Sequence, residues 1–377
     1  MRLGLIKEDA VLDQNEAFIL CDSNGTEQIR LISIIDNGGS ALAYKAIRNK
    51  NGSSSVCIVK EYYPAQKEDI YKRNKVGEPI FISKNKEKEL KIQQENIERE
   101  LSANQAVYFS VNYDESNSPY VYHSELFTHF GDSSYIVMDT NEGNTLYTVM
   151  RKTLTPEKCL RYIYQLLIIV DHLNNKGYLH GDIKPQNIWI RGENENQSML
   201  LLDFGTAMHL ADFQVDVSKL SVDEIFESAD RMKENESLGS MTEKFGSLGI
   251  LSIRNHKKMY RTTDQSYERA LALIEAVNNL SVADDLYSVV KVAGELFEKA
   301  IMSREQRDSI EEVLQDMKEK NQTTGYHSVA ELREDIEVIE TILNNGAHPA
   351  VLEKNFLNSG CLILPDDFTE ELLCDVE

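Results

Sequence analysis

The feature that most constrains this 377-residue chain is a change of pattern near 139–143. Before it, short strand-like runs at Ala17–Cys21, Gln28–Ile35, Ala43–Arg48 and Val56–Lys60 alternate with turn clusters at Asp22–Gly25, Asp36–Ser40 and Asn49–Ser55. This is the pattern of an antiparallel meander. Lys84–Ser110 contains no Pro or Gly and is rich in Glu, Lys, Gln and Leu, which predicts one long helix. Two further strands are expected at Tyr120–Thr128 and Ser134–Asp139. After Gly143 helical periodicity dominates. Thr155-Pro156-Glu157 is a helix start, Leu160, Ile163, Tyr164, Leu167 and Ile168 form an apolar face, and Gly177 is a stop. Ile188–Ile190 and Met199–Leu202 flank a turn and predict a hairpin; Asp284–Ala300 and Arg304–Asn344 predict helix. Residues 206–283 are long, polar and resist assignment. The expectation is an α+β chain in two lobes. Residues 1–28 form an extension with a first strand, 29–139 a β-rich N-lobe with one long helix, 140–345 a mainly helical C-lobe, and 346–377 an acidic tail.

The charge balance narrows the partners. Asp and Glu number 62 against 40 Lys and Arg, a net charge of −22, so phosphate repulsion argues against nucleic acid and against an anionic membrane surface. The excess serves solubility and suits a basic protein substrate. Cys21, Cys57, Cys159, Cys361 and Cys374 are odd in number and widely spaced, without CxxC, which points to reduced thiols and a cytoplasmic location. Met1–Ala10 does not read as a signal peptide, and the most apolar run, Leu166–Val170, is too short to span a bilayer. Oligomeric state leaves no trace in the sequence.

The chemistry-bearing segment is Tyr178-Leu179-His180-Gly181-Asp182-Ile183-Lys184-Pro185-Gln186-Asn187-Ile188, followed after the expected hairpin by Leu202-Asp203-Phe204-Gly205. HxDxKxxN followed by a strand, a turn and DFG resembles the catalytic loop and metal-binding element of protein kinases. Phosphoryl transfer needs little covalent help and much positioning. The resemblance implies a bilobal protein-kinase-like fold and ATP and Mg²⁺ as cofactors. It makes Asp182 the acceptor of the substrate hydroxyl's proton and Lys184 the neutraliser of charge on the transferring phosphoryl. Asn187 and Asp203 become ligands of Mg²⁺ from two separate segments.

Upstream, Val56-Cys57-Ile58-Val59-Lys60 resembles the third-strand lysine motif, with Lys60 on the α/β-phosphates. Its helix-borne carboxylate partner is expected to be Glu100, with Glu95 and Glu98 as competitors. Gly38, Gly39 and Ser40 stand where the family's glycine-rich loop covers phosphate. By the same resemblance Met138 is the gatekeeper and backbone groups of Asp139 and Asn141 pair with adenine, while Trp189 departs from the family by replacing the small apolar residue beneath the base, with stacking on the base, narrowing of the pocket and an outward tilt as the alternatives. Asp285 would tie to the backbone of the catalytic loop.

The departures are specific. Gly181 replaces the Arg that normally precedes the catalytic Asp and receives an activating phosphate. The stretch from Gly205 to Asp285 is about twice the family's usual length, and no Ala-Pro-Glu closes it. Ser247-Leu248-Gly249 and Leu251-Ser252-Ile253-Arg254 are a degenerate counterpart. Asn104, four residues beyond Glu100, stands where an apolar residue is usual, and the glycine loop is eroded. Since Lys60, Asp182, Asn187 and Asp203 all remain, the expected activity is ATP-dependent phosphorylation of protein Ser/Thr hydroxyls, with resemblance to bacterial-type Ser/Thr kinases. The alternatives are a small-molecule kinase of the aminoglycoside/choline type, suggested by His180-Gly181-Asp182, and a catalytically weak pseudokinase scaffold.

Overall fold

The alternation of the N-terminal region becomes an antiparallel sheet. The computed structural model describes residues 19–21, 27–37, 41–62, 71–73, 79–82, 84, 86–108, 121–139, 143–192, 197–234, 248–262 and 266–344, and the chain divides into two units between Glu142 and Gly143. The first unit contains β1 (Ile19–Cys21), β2 (Glu27–Asn37), β3 (Leu42–Lys50), β4 (Ser53–Glu61), β5 (Tyr71–Arg73), β6 (Pro79–Phe81), α1 (Lys86–Tyr108), β7 (Ser124–Phe130) and β8 (Ser133–Asp139). The main sheet runs β1-β2-β3-β4-β8-β7, and β5 pairs with β6 apart from it. Asn51 and Gly52, both at positive φ (52° and 78°), make the two-residue turn between β3 and β4. Asn-Gly is the pair that tolerates this conformation and matches the twist of the strands.

Both faces of the sheet are covered. Ile29, Leu31, Tyr44, Ala46, Val59, Tyr135 and Val137 point into one core together with Leu20 and Phe81. Ile58, Lys60, Ile136 and Met138 alternate with these residues, so they occupy the opposite face, and all four are buried. The last residues of β4 are therefore continuously buried. Helix α1 buries Ile97, Glu100, Asn104 and Val107, a stripe at i, i+3 and i+7 spacing in which two members are polar. The strand expected from Tyr120 begins at Ser124, and the β5–β6 hairpin has no counterpart in the sequence expectation.

The second unit opens with β9 (Gly143–Thr145), α2 (Leu146–Val149) and α3 (Pro156–Asn175). Thr155 caps α3, its hydroxyl accepting from the Lys158 amide at 3.3 Å with Pro156 in the first turn, and Gly177 leaves the helix at φ +74°. Next come β10 (Tyr178–Leu179), β11 (Ile188–Arg191), β12 (Ser198–Leu201) and β13 (Met208–His209), with sheets β12-β11-β9 and β10-β13. The unassigned stretch contains α4 (Val222–Glu234), α5 (Leu248–Thr262) and α6 (Tyr267–Asn278). Ile225, Ala229, Met232, Ile253, Tyr260, Leu273 and Val277 from these helices share a core with Leu179 and Met208, next to the HxD segment. Finally come α7 (Val282–Lys299), α8 (Arg304–Thr323) and α9 (Val329–Asn344). The single helix expected over Arg304–Asn344 is two helices. Gly325, at φ +73°, folds back to donate to the Lys320 carbonyl at 2.8 Å and ends α8. Among the described residues no helix is long and apolar enough to cross a membrane.

Candidate active site

In the first unit the chemistry gathers where β4 faces α1. Successive side chains of a strand point to opposite faces, so Lys60 and Tyr62 share one side while Glu61 takes the other. Lys60 Nζ donates to both oxygens of Glu100, at 2.9 and 2.8 Å, with both side chains buried. The Tyr62 hydroxyl also donates to Glu100, and its ring centroid lies 5.2 Å from the Lys60 ammonium. Glu61, fully buried, accepts from the hydroxyls of Tyr44 (2.6 Å) and Tyr135 (2.5 Å).

Asn104 explains its own polarity. Its side-chain NH₂ donates to the Tyr122 carbonyl at 3.0 Å and its oxygen accepts from the Ser124 amide at 3.0 Å, joining α1 to the start of β7. Met138 is buried in β8 opposite Ile58 and Ser124, and the Asp139 backbone is opposite Cys57. Gly38, Gly39, Ser40 and Asn141 lie outside the described residues.

The second unit assembles the HxDxKxxN segment and Asp203-Phe204-Gly205. The Asp285 carboxylate, at the start of α7, accepts from the backbone amides of His180 and Gly181, both at 2.8 Å. Gly181 is at φ +77°, a conformation glycine adopts at little cost. Burial lowers the pKa of His180, which keeps the ring neutral. Its Nδ1 then accepts from the Asp182 amide at 3.3 Å while Nε2–H donates to the Leu202 carbonyl at 2.9 Å. The ring also stacks edge-on against Phe204, 5.1 Å between centroids. His180 thus couples the two motifs through structure.

Asp182 is the focus of this loop. Its Oδ2 accepts from Lys184 Nζ and from Asn187 Nδ2 (3.0 Å), and Asn187 Nδ2 also reaches the Asp182 carbonyl at 2.9 Å. Its Oδ1 is buried and has no hydrogen-bond partner among the described residues. Burial raises the Asp182 pKa above the usual aspartate value, with the Asp203 charge adding to the shift and Lys184 opposing it. Asp203 adopts left-handed backbone angles (φ 60°, ψ 76°), a strained state for a residue with a side chain. Its carboxylate accepts from the Gly205 amide at 3.3 Å.

Asn187 and Asp203 offer hard oxygen donors, one amide and one carboxylate. Among the described residues no cluster of three or more His, Cys, Asp or Glu forms a self-sufficient metal cage. Two protein oxygens fit Mg²⁺, which commonly completes its shell with water and substrate phosphate.

Trp189, in β11, is half-buried against Gly143. A Cβ on Gly143 would lie 2.5 Å from the indole Nε1 and collide with the Ile190 carbonyl, so this contact requires glycine. The segment after Gly205 is pinned by Asn278, the last residue of α6. Its side chain donates to the Val215 carbonyl at 2.8 Å and accepts from the Val215 amide at 2.9 Å.

Tyr62, Asn104 in its bonding role and Asn278 are missing from the sequence expectation. Asn104 carried a signal, a polar residue on an otherwise buried helix face. Tyr62 stands in Glu61-Tyr62-Tyr63-Pro64, an extension of the lysine motif similar to that of bacterial Ser/Thr kinases, whereas the bonds of Asn278 depend on a segment far away in sequence and carried no signal.

The model of the protein kinase domain matches residues 29–328. The chain is 28% identical over 129 residues to serine/threonine-protein kinase pkn2 of Myxococcus xanthus, covering 33% of this chain and 15% of that protein. It is 36% identical over 112 residues to serine/threonine-protein kinase PKH2 of Saccharomyces cerevisiae, covering 29% of this chain and 10% of that protein. The match therefore spans a small part of these relatives' length. A solved structure of the Mycobacterium tuberculosis PknI kinase domain is similar at 13% identity and a TM-score of 0.46, covering 86% of this chain and 98% of that one. With the family model matching most of its length, the chain belongs to the protein kinase domain family.

Proposed function

We propose that this chain transfers the γ-phosphoryl group of ATP to Ser or Thr hydroxyls of protein substrates. The observation that carries the proposal is the state of Asp182. One carboxylate oxygen is held by Lys184 and Asn187, and the other is buried without a partner among the described residues. An acceptor with one oxygen fixed and the lone pairs of the other unused suits a group that orients a hydroxyl and takes its proton. Lys184 neutralises charge on the transferring group, and Lys60, aimed by Glu100, binds the donor phosphates. Asn187 and Asp203 would hold Mg²⁺, which when bound offsets phosphate charge. Met138, Asp139 and Asn141 are assigned to the adenine side, Gly38, Gly39 and Ser40 to the phosphate-covering loop, and Trp189 to the base.

The proposed domain reading is an N-lobe at 29–139 and a C-lobe at 140–345, flanked by 1–28 and 346–377. Within the C-lobe, 206–283 is a lengthened activation segment. The negative net charge suits basic substrate sites. A cytoplasmic location suits the buried thiols of Cys57 and Cys159, the pKa of the latter pushed up to about 12 by burial, which makes it unreactive.

Incubation with labelled ATP and generic protein substrates tests the reading. Label on protein Ser/Thr that disappears with Asp182→Asn supports it, and equal labelling by both proteins overturns it. The His180-Gly181-Asp182 triplet favours one second reading, a kinase of aminoglycoside or choline-like alcohols. Labelling of such compounds without labelling of any protein would select it.

A further inference from the structure

We infer that Tyr62 is a positioning residue that holds Glu100 on Lys60, a role that rests on reading Lys60 as the phosphate ligand. The Glu100 carboxylate is buried at 6% exposure and accepts from Lys60 on both oxygens and from the Tyr62 hydroxyl on one of them. A buried carboxylate is stable only while its lone pairs are met. When Lys60 shares its three donors with a phosphate, its hold on Glu100 weakens. The phenol is uncharged and does not compete for phosphate as an ammonium does. It therefore keeps the carboxylate in place throughout the cycle.

The backbone of Tyr62 is fixed at both its amide and its carbonyl, which sets the direction in which the ring leaves the chain. Its amide donates to the Ser134 carbonyl at 3.1 Å, and its carbonyl accepts from Ser133 Oγ (2.8 Å) and from Gln93 Nε2 (2.9 Å). Gln93 and Glu100 are seven residues apart, two turns along one face of α1. Tyr62 therefore grips the helix at two points, once through its backbone and once through its hydroxyl. The ring's proximity to the Lys60 ammonium, 5.2 Å from the centroid, adds an attraction that the hydroxyl does not supply. The neighbouring Glu61 provides an internal control. It too accepts from a phenol, that of Tyr135, but on the face of the sheet turned away from Lys60.

The test is a double-mutant cycle in the full chain, read as KM and kcat and as the dissociation constant for Mg·ATP by calorimetry. Tyr62→Phe keeps the ring and removes the hydroxyl. It is expected to weaken Mg·ATP binding about tenfold, the scale of one hydrogen bond to a charged group. In a Glu100→Gln background the same substitution is expected to change binding less than about twofold, because the partner is already altered. Tyr135→Phe is expected to lower the melting temperature while leaving the Mg·ATP constants within about twofold. An equal effect of Tyr62→Phe in both backgrounds, or no effect in either, overturns the role of Tyr62 while the kinase reading stands. A wild-type chain that neither binds nor turns over Mg·ATP overturns the kinase reading, and this role falls with it.

Discussion

Lys60 and Asp182 are both buried charged groups, but their surroundings are built differently. Lys60 is held by side chains: Glu100 opposes it, and Tyr62 steadies Glu100. The loop carrying Asp182 is held through its backbone, with the His180 and Gly181 amides on Asp285 and the Asp182 carbonyl on Asn187. A side-chain pair can be replaced on both sides, whereas a backbone donor cannot be mutated away. Changes near Lys60 should therefore be open to compensation and changes near Asp285 should not.

The sharpest way to break that contrast is Asp285→Ala. Two buried amides would lose their acceptor at about 1–3 kcal/mol each, so a loss of roughly 4 kcal/mol of stability is expected in thermal or urea unfolding. A loss below about 1 kcal/mol would mean the loop is held some other way. Next in size, Glu100→Leu alone leaves Lys60 buried without its carboxylate and is expected to cost about 3 kcal/mol. The double substitution Lys60→Met/Glu100→Leu should recover most of that stability while abolishing phosphoryl transfer. Failure to recover would erase the distinction between the two sites.

Smaller still is Asn278→Ala, which frees both backbone groups of half-buried Val215. About 1 kcal/mol is expected, together with faster hydrogen exchange around Val215. The last effect is one of position on the pH axis. Asp182 must be ionised to accept a proton, and burial raises its pKa. The rate should therefore fall on acidification through a midpoint above that of an ordinary aspartate. A midpoint at the ordinary aspartate value would remove burial from the description of this group.

The same contrast governs what the sequence could reveal. The catalytic loop was legible because its functional groups lie within a few residues of one another and its spacing is set by local backbone. Asp203 was nominated from its own short motif, Asp203-Phe204-Gly205. Glu100 could be nominated from helical periodicity, although Glu95 and Glu98 competed with it, because its partner on β4 is forty positions away. Asn104 looked like a flaw in that assignment, and the structure gives it two backbone bonds instead.

Helix α4 escaped notice because its apolar residues are sparse among charges. Even so, Ile225, Ala229 and Met232 sit at i, i+4 and i+7, a period that can be read from the sequence alone. The break at Gly325 carried a signal in the glycine itself, a residue that commonly ends a helix, and the structure places it at positive φ. Gly181 replaces an Arg that would receive an activating phosphate, and in this chain Asn278 and the α4–α6 core hold the segment that follows Gly205.

The most direct test of the central claim is a phosphoryl-transfer assay with γ-labelled ATP and a basic protein substrate, comparing the wild-type chain with Asp182→Asn. Label should accumulate on Ser or Thr with the wild type and fall by about 10²- to 10⁴-fold with the variant, whose fold and Mg·ATP affinity should be retained. Undiminished transfer by Asp182→Asn would contradict the assignment of Asp182 as the proton acceptor and, with it, the reading of the whole loop.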